Sequence, residues 1–265
     1  MTAAVAGERD QGPGLVDAHA HLDLLGDALA AVTEATAAGV DRILTVGTDL
    51  ASSRLAVELS LQFPQVLACI GIHPHGARSV DESAITELDR LAASPMVVAI
   101  GETGLDFYRE LAPPRQQADA FRRHIELARK NCLPLVVHTR QAASQTLEIL
   151  ASEAAGLTVV LHCFSLYEHV QECANRGYYM SVAGNVTYKN AGQLRLSARE
   201  IPLPFILTET DCPYLTPVPH RGKTNRPEFV RFTAAEIARL RGLSCEDLAA
   251  QILANFNSAF KCLPR

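Results

Sequence analysis

A chain of 265 residues, 48% apolar and 20% charged, is long enough for one large α/β domain and too apolar to stay disordered. Its formal net charge of −5 excludes a global basic field for nucleic acid or anionic membranes, so a polyanionic substrate would need local cations and metals. No apolar run reaches the roughly 18 residues of a membrane span.

Residues 1–14 are rich in Ala and Gly, carry Glu8, Arg9 and Asp10, and lack the apolar core of a signal peptide. They read as a flexible head before a single domain over 15–265. Residues 15–21 read as a strand, on which period-two alternation sends Asp17, His19 and His21 to one face. Two imidazoles two residues apart then aim at one point, as a divalent metal requires. Residues 25–38 form a helix stopped by Gly39. A strand over 42–46 and a helix over 52–61 follow. Residues 66–72 are apolar again and deliver His73-Pro74-His75, with Pro74 pushing His73 towards an extended backbone.

The alternation continues. A helix over 81–92 precedes an apolar run at 96–100 that ends in Gly101-Glu102. The helix over 114–130 keeps Ala120, Phe121, Ile125 and Ala128 on one stripe, and pairs Glu126 with Lys130 on its wet side. Residues 133–137 deliver His138-Thr139-Arg140, and a helix runs on through Leu150. Residues 158–161 deliver His162, 178–182 run into Gly184-Asn185, and 205–207 into Glu209-Thr210-Asp211. Two closing helices are expected, one starting at Pro227 and one capped by Ser244 with Asp247 three residues on. Eight strand–helix units in this length, with continuous apolar strands and no G-x-G-x-x-G turn, predict a TIM-type (β/α)8 barrel. The seven cysteines are scattered and form no Cys-x-x-Cys pair, as in a reduced, cytoplasmic protein.

Chemistry gathers where strands end. His19 and His21 close strand one, His73 strand three, Glu102 strand four, His138 strand five, His162 strand six and Asp211 strand eight. That end of a (β/α)8 barrel carries active sites. A lone histidine after a strand is more often a capped or core residue, but a whole set of imidazoles and carboxylates at one barrel end points to metal. His19, His21, His138, His162, Glu102 and Asp211 exceed one tetrahedral site, so two divalent ions are expected, with Glu102 between them. The donors suit Zn²⁺, Mn²⁺ or Co²⁺, and Mg²⁺ less well. Arg140, Lys189, Arg221 and Lys223 fall beside these strand ends. On the last loop, Arg221 and Lys223 suit a phosphate, the plainer alternative being a solvated turn.

The motifs DAHAHLD (17–23), GIHPH (71–75), GETGLD (101–106), HTR (138–140), HCFS (162–165), GNVTYKN (184–190), ETDCPY (209–214) and PHRGKTN (219–225) resemble those of the TatD family. These are metal-dependent deoxyribonucleases of the amidohydrolase barrel superfamily. The resemblance implies that His19, His21, Glu102 and Asp211 hold one metal, and Glu102, His138 and His162 the other. It places His73 close to the scissile phosphate and implies 3′–5′ exonuclease action on DNA strand ends, in DNA repair or turnover, with RNA as a second substrate. Asp211 is then the proton acceptor, and Arg140, Arg221 and Lys223 hold substrate. A monomer without membrane association is the working expectation. The chain departs from the family at Leu166, where Gly is common, and at Ala20, where Cys is frequent.

Two other readings compete: a hydrolase of a small amide, lactone or ester on the same barrel, and a non-catalytic metal-binding scaffold. Many superfamily relatives bridge their metals with a carboxylated lysine on strand four, where this chain has Glu102. The complete ligand set argues against a scaffold.

Overall fold

Val66–Ile70 and Val159–Leu161 are uninterrupted apolar runs, and every residue in them is buried. Runs of this kind suit parallel strands covered on both faces. The computed structural model describes residues 13–261, so the expected head lies outside the described residues except for Pro13 and Gly14. Its strands are β1 (Leu15–Ala20), β2 (Val40–Val46), β3 (Val66–Ile70), β4 (Val97–Asp106), β5 (Leu135–Arg140), β6 (Val159–Leu161), β7 (Tyr179–Val182) and β8 (Ile206–Thr208). They pair in chain order and all in parallel.

The ring closes where β8 returns to β1. Ala20 bridges Cys212 in parallel. The Asp211 N–H donates to the His19 carbonyl and the His21 N–H to the Cys212 carbonyl, each at 2.9 Å. The Thr208 hydroxyl donates to the Val16 carbonyl at 2.8 Å. The expected (β/α)8 barrel is the observed fold.

Helices α1 (Ala28–Ala37), α2 (Leu50–Gln62), α3 (Glu82–Ala92), α4 (Pro114–Asn131), α5 (Ala143–Glu153), α6 (Val170–Asn175), α7 (Gly192–Glu200), α8 (Val230–Arg241) and α9 (Cys245–Ala259) surround it. Asp27, Asp49, Asp81 and Ser244 cap the starts of α1, α2, α3 and α9 by accepting a backbone N–H through the side chain. Phe121 and Ile125 of α4 join strand residues such as Ile100 and Val136 in one buried core between helices and barrel. The six described cysteines are free. Among the described residues no helix is long and apolar enough to cross a membrane.

Three details differ from the sequence expectation. Strand β4 continues to Asp106 instead of ending near Ile100, because two glycines let it run tightly along β5. A Cβ on Gly101 (φ +143°) would meet the Val136 carbonyl oxygen at 2.4 Å, and one on Gly104 (φ +131°) the His138 carbonyl oxygen at 2.1 Å. Pro227 opens a short 3-10 turn, Pro227–Phe229, and α8 starts only at Val230. Helices α6 and α7 were implied by the strand–helix alternation but had no bounds of their own in the sequence, being short, and α7 is also polar.

Candidate metal centre

The strand ends converge on Glu102. Its Oε1 lies 2.8 Å from His138 Nδ1, 2.8 Å from His162 Nε2 and 3.5 Å from His73 Nε2. Its Oε2 lies 3.4 Å from His19 Nε2 and 3.8 Å from His21 Nε2. Asp211 Oδ1 approaches His21 Nε2 at 3.4 Å and His19 Nε2 at 4.0 Å. Three overlapping groups have their ligand atoms within 4.8 Å of one another: His19, His21 and Asp211; His19, Glu102 and His162; and His73, Glu102 and His138. Glu102 belongs to two of them.

The donor set suits a divalent cation. His19 is fully buried, stacks on His162 with ring centroids 3.9 Å apart, and has no hydrogen-bond partner for either ring nitrogen among the described residues. A buried polar atom without a partner is costly, and a ligated ion removes that cost. Burial would raise the Glu102 carboxyl, but the His162 imidazole, with the His138 contact beside it, outweighs that and holds the group well below its ordinary range. Asp211 is likewise held down against burial by His21, His162 and His19. Both carboxylates are therefore charged acceptors at neutral pH.

A second ring of contacts fixes which imidazole nitrogen faces inward. Asp106 Oδ2 lies 3.3 Å from His138 Nε2, which leaves Nδ1 for the centre, and 3.0 Å from His75 Nε2. Asp106 Oδ1 accepts from the Tyr108 and Arg109 N–H groups. Glu209 Oε1 accepts from the Cys163 N–H and stands 3.5 Å from His162 Nδ1, opposite the Nε2 that faces Glu102. The Val46 carbonyl engages His21 Nδ1 at 3.0 Å. His73 Nδ1 accepts the His75 N–H at 3.1 Å, so neutral His73 carries its proton on Nε2, towards Glu102. Burial lowers its pKa to about 3, which keeps it neutral.

The structure thus brings together His19, His21, His73, Glu102, His138, His162 and Asp211. Asp17 shares the β1 face with the histidines but turns to Thr210, accepting from its N–H at 2.8 Å and its hydroxyl at 2.6 Å. That contact steadies the backbone just before Asp211. Asn225 adds to it by donating to the Thr210 and Tyr214 carbonyls. Arg140 lies over the Tyr108 ring and Arg221 over the Tyr188 ring, while Lys223 is exposed and its backbone carbonyl accepts from Thr216. Among the described residues no ion pair ties these three cations to the cluster.

Sequence reasoning assigned no role to Asp106, Glu209, His75 or Thr210. Their signal was membership of the same motifs, GETGLD, ETDCPY and GIHPH, that carry the inner residues.

Residues 16–261 match the family of TatD-related DNases. The chain belongs to the TatD family. It is 38% identical over 257 residues to an uncharacterized metal-dependent hydrolase TatD of Mycobacterium tuberculosis, covering 93% of this chain and 97% of that one. A relative named 3′-5′ ssDNA/RNA exonuclease TatD, from Escherichia fergusonii, is 37% identical over 240 residues, 86% of this chain and 91% of its own. Among solved structures, the TatD homolog YjjV of Escherichia coli superposes with a TM-score of 0.88 at 26% identity, covering 94% and 98% of the two chains. As a TatD-family protein the chain is a metal-dependent hydrolase, and its His/Glu/Asp cluster is the candidate metal site.

Proposed function

We propose that this TatD-family hydrolase cleaves phosphodiester bonds at nucleic-acid strand ends, as a 3′–5′ exonuclease on DNA with RNA as a second substrate. One observation carries the reading. Arg140 at the end of β5 and Arg221 on the segment after β8 place exposed guanidiniums at the barrel mouth that carries the Glu102 cluster, in a chain of net charge −5. An amide or lactone would leave those cations unused, whereas phosphates pair with both. The relative named for 3′-5′ exonuclease action on ssDNA and RNA supports the same substrate class.

In this reading His19, His21 and Asp211 would hold one divalent ion and His138 and His162 a second, with Glu102 shared between them. Zn²⁺, Mn²⁺ and Co²⁺ suit these donors better than Mg²⁺. Such ions, when bound, lower the pKa of water and neutralise charge developing on phosphate. The protein's own groups do the rest. Asp211, charged at neutral pH, accepts the proton of the attacking water. His73, neutral with its proton on Nε2, donates to a phosphate oxygen and counters charge there. Arg140, Arg221 and Lys223 hold the flanking phosphates.

The test is a 5′-labelled single-stranded oligonucleotide incubated with metal-loaded protein, with and without chelator. A ladder shortening from the 3′ end, stopped by the chelator, is expected. An intact strand alongside turnover of a lactone or amide would overturn the reading.

A further inference from the structure

The barrel mouth carries more exposed apolar surface than a metal site needs. Nine large hydrophobic side chains are exposed among the described residues. Five of them, Leu24, Tyr108, Leu111, Tyr214 and Val218, stand on the segments that follow β1, β4 and β8, at the metal-site end of the barrel.

Two arginines make the pattern specific. The Arg140 guanidinium lies 3.9 Å from the Tyr108 ring centroid, and the Arg221 guanidinium 4.2 Å from that of Tyr188. Both arginines are exposed, and neither has a carboxylate partner among the described residues. The first pair grows from β4 and β5, the second from the segments after β7 and β8. In a ring paired in the order one to eight, the β6 end, which delivers His162 to the cluster, lies between those two positions. Arg140 stands two residues after His138 on β5, which sets the first pair beside the cluster.

A guanidinium stacked on a phenol ring and free of any carboxylate presents both positive charge and a flat face. The ligand that uses both is a nucleotide, whose phosphate takes the charge and whose base takes the face. Resting on the nuclease reading above, we propose that Tyr108–Arg140 and Tyr188–Arg221 are stacking platforms for the unpaired bases of a strand end, one on each side of the metal centre. Every base has a π face, so the grip is independent of sequence. It is closed to a blunt duplex end, whose bases already stack on one another. The platforms select single strands by their bases, while the cluster handles the phosphate.

Binding separates this proposal from the nuclease reading, because it needs no turnover. The probes are a short 5′-labelled oligothymidylate, the same strand with its two 3′-terminal nucleotides abasic, and a blunt duplex, each titrated into the full chain by fluorescence anisotropy in chelator. The intact single strand should bind roughly tenfold or more tighter than the other two, the advantage expected of stacked bases. Tyr108→Ala and Tyr188→Ala should each remove much of that advantage without weakening the abasic strand, and Tyr108→Phe and Tyr188→Phe should restore it. With metal restored, the alanine variants should raise KM for the intact strand and leave kcat within about threefold. Equal affinity for intact and abasic ends, or alanine variants that weaken both alike, would overturn the platforms. If the metal-loaded protein still shortened the strand in that case, the nuclease reading would stand alone. If it neither bound nor cut any strand, both would fall.

Discussion

Asp106 stands behind His138, on the side away from Nδ1, and decides which nitrogen of that ring faces the centre. Its Oδ2 occupies the His138 Nε2 side at 3.3 Å, so Nδ1 is the ring nitrogen that faces the centre, 2.8 Å from Glu102 Oε1. Asparagine keeps the shape but loses the charge that fixes this tautomer. Asp106→Asn should therefore fold and weaken divalent-metal affinity by about 10–100-fold, read by competition with a chelating dye. Unchanged affinity would remove its orienting role. Asp211→Asn asks a different question, since the amide keeps an oxygen for an ion but accepts no proton at neutral pH. It should retain most bound metal and lose about 10²–10⁴-fold in kcat on single-stranded DNA. Metal loss would instead mark Asp211 as chiefly a ligand. The inner residues were legible in the sequence because each is an imidazole or carboxylate within a few residues of the end of an apolar run. Asp106, Glu209 and Asp17 were not, because their roles come from contacts far along the chain. Asp17 meets Thr210 across 193 positions, and no local pattern announces that.

At the scale of elements, the strands and long helices were readable from apolar runs and helical spacing, and their boundaries held to within a few residues. The exception was β4. Gly101, Glu102, Thr103 and Gly104 break its apolar run just where the strand carries on into the site. What holds that extension in place is a side chain on the following helix. Gln117 of α4 accepts the Asp106 N–H at 2.7 Å and donates to the Asp106 and Ala112 carbonyls at 3.0 and 2.8 Å. Gln117 and Ala112 are fully buried and Asp106 nearly so, so water cannot replace these bonds. Gln117→Leu would strand one donor and two acceptors, each costing about 1–3 kcal/mol before relaxation. A loss of about 3 kcal/mol in urea unfolding is expected, together with weaker metal binding through the displaced Asp106. A loss below about 1 kcal/mol would show that the loop finds other partners.

Across the whole molecule, the ring closure between β8 and β1 and the helix layer around the barrel rest on buried polar groups as well as apolar packing. His124 shows how such a group couples the fold to pH. It sits on α4 with no exposed surface, its Nδ1 engages the Ala120 carbonyl at 2.8 Å, and its Nε2 accepts the Ile72 N–H beyond β3 at 3.0 Å. Only the neutral ring can accept that N–H, and burial lowers the pKa from 6.5 to about 4. The folded state therefore refuses a proton that the unfolded chain takes up. Above pH 6.5 neither state is protonated there and the group costs nothing. As pH falls from 6.5 towards 4, stability drops, and below about 4 the loss is complete at roughly 3 kcal/mol. Glutamine can still accept from the Ile72 N–H but does not titrate. Urea unfolding of wild type and His124→Gln between pH 7.5 and 4 would isolate the effect, because the other acid-sensitive groups subtract out. Wild type should lose about 3 kcal/mol more than the variant across that window. Parallel curves would mean that His124 takes up its proton inside the folded protein and that the Ile72 contact yields to it.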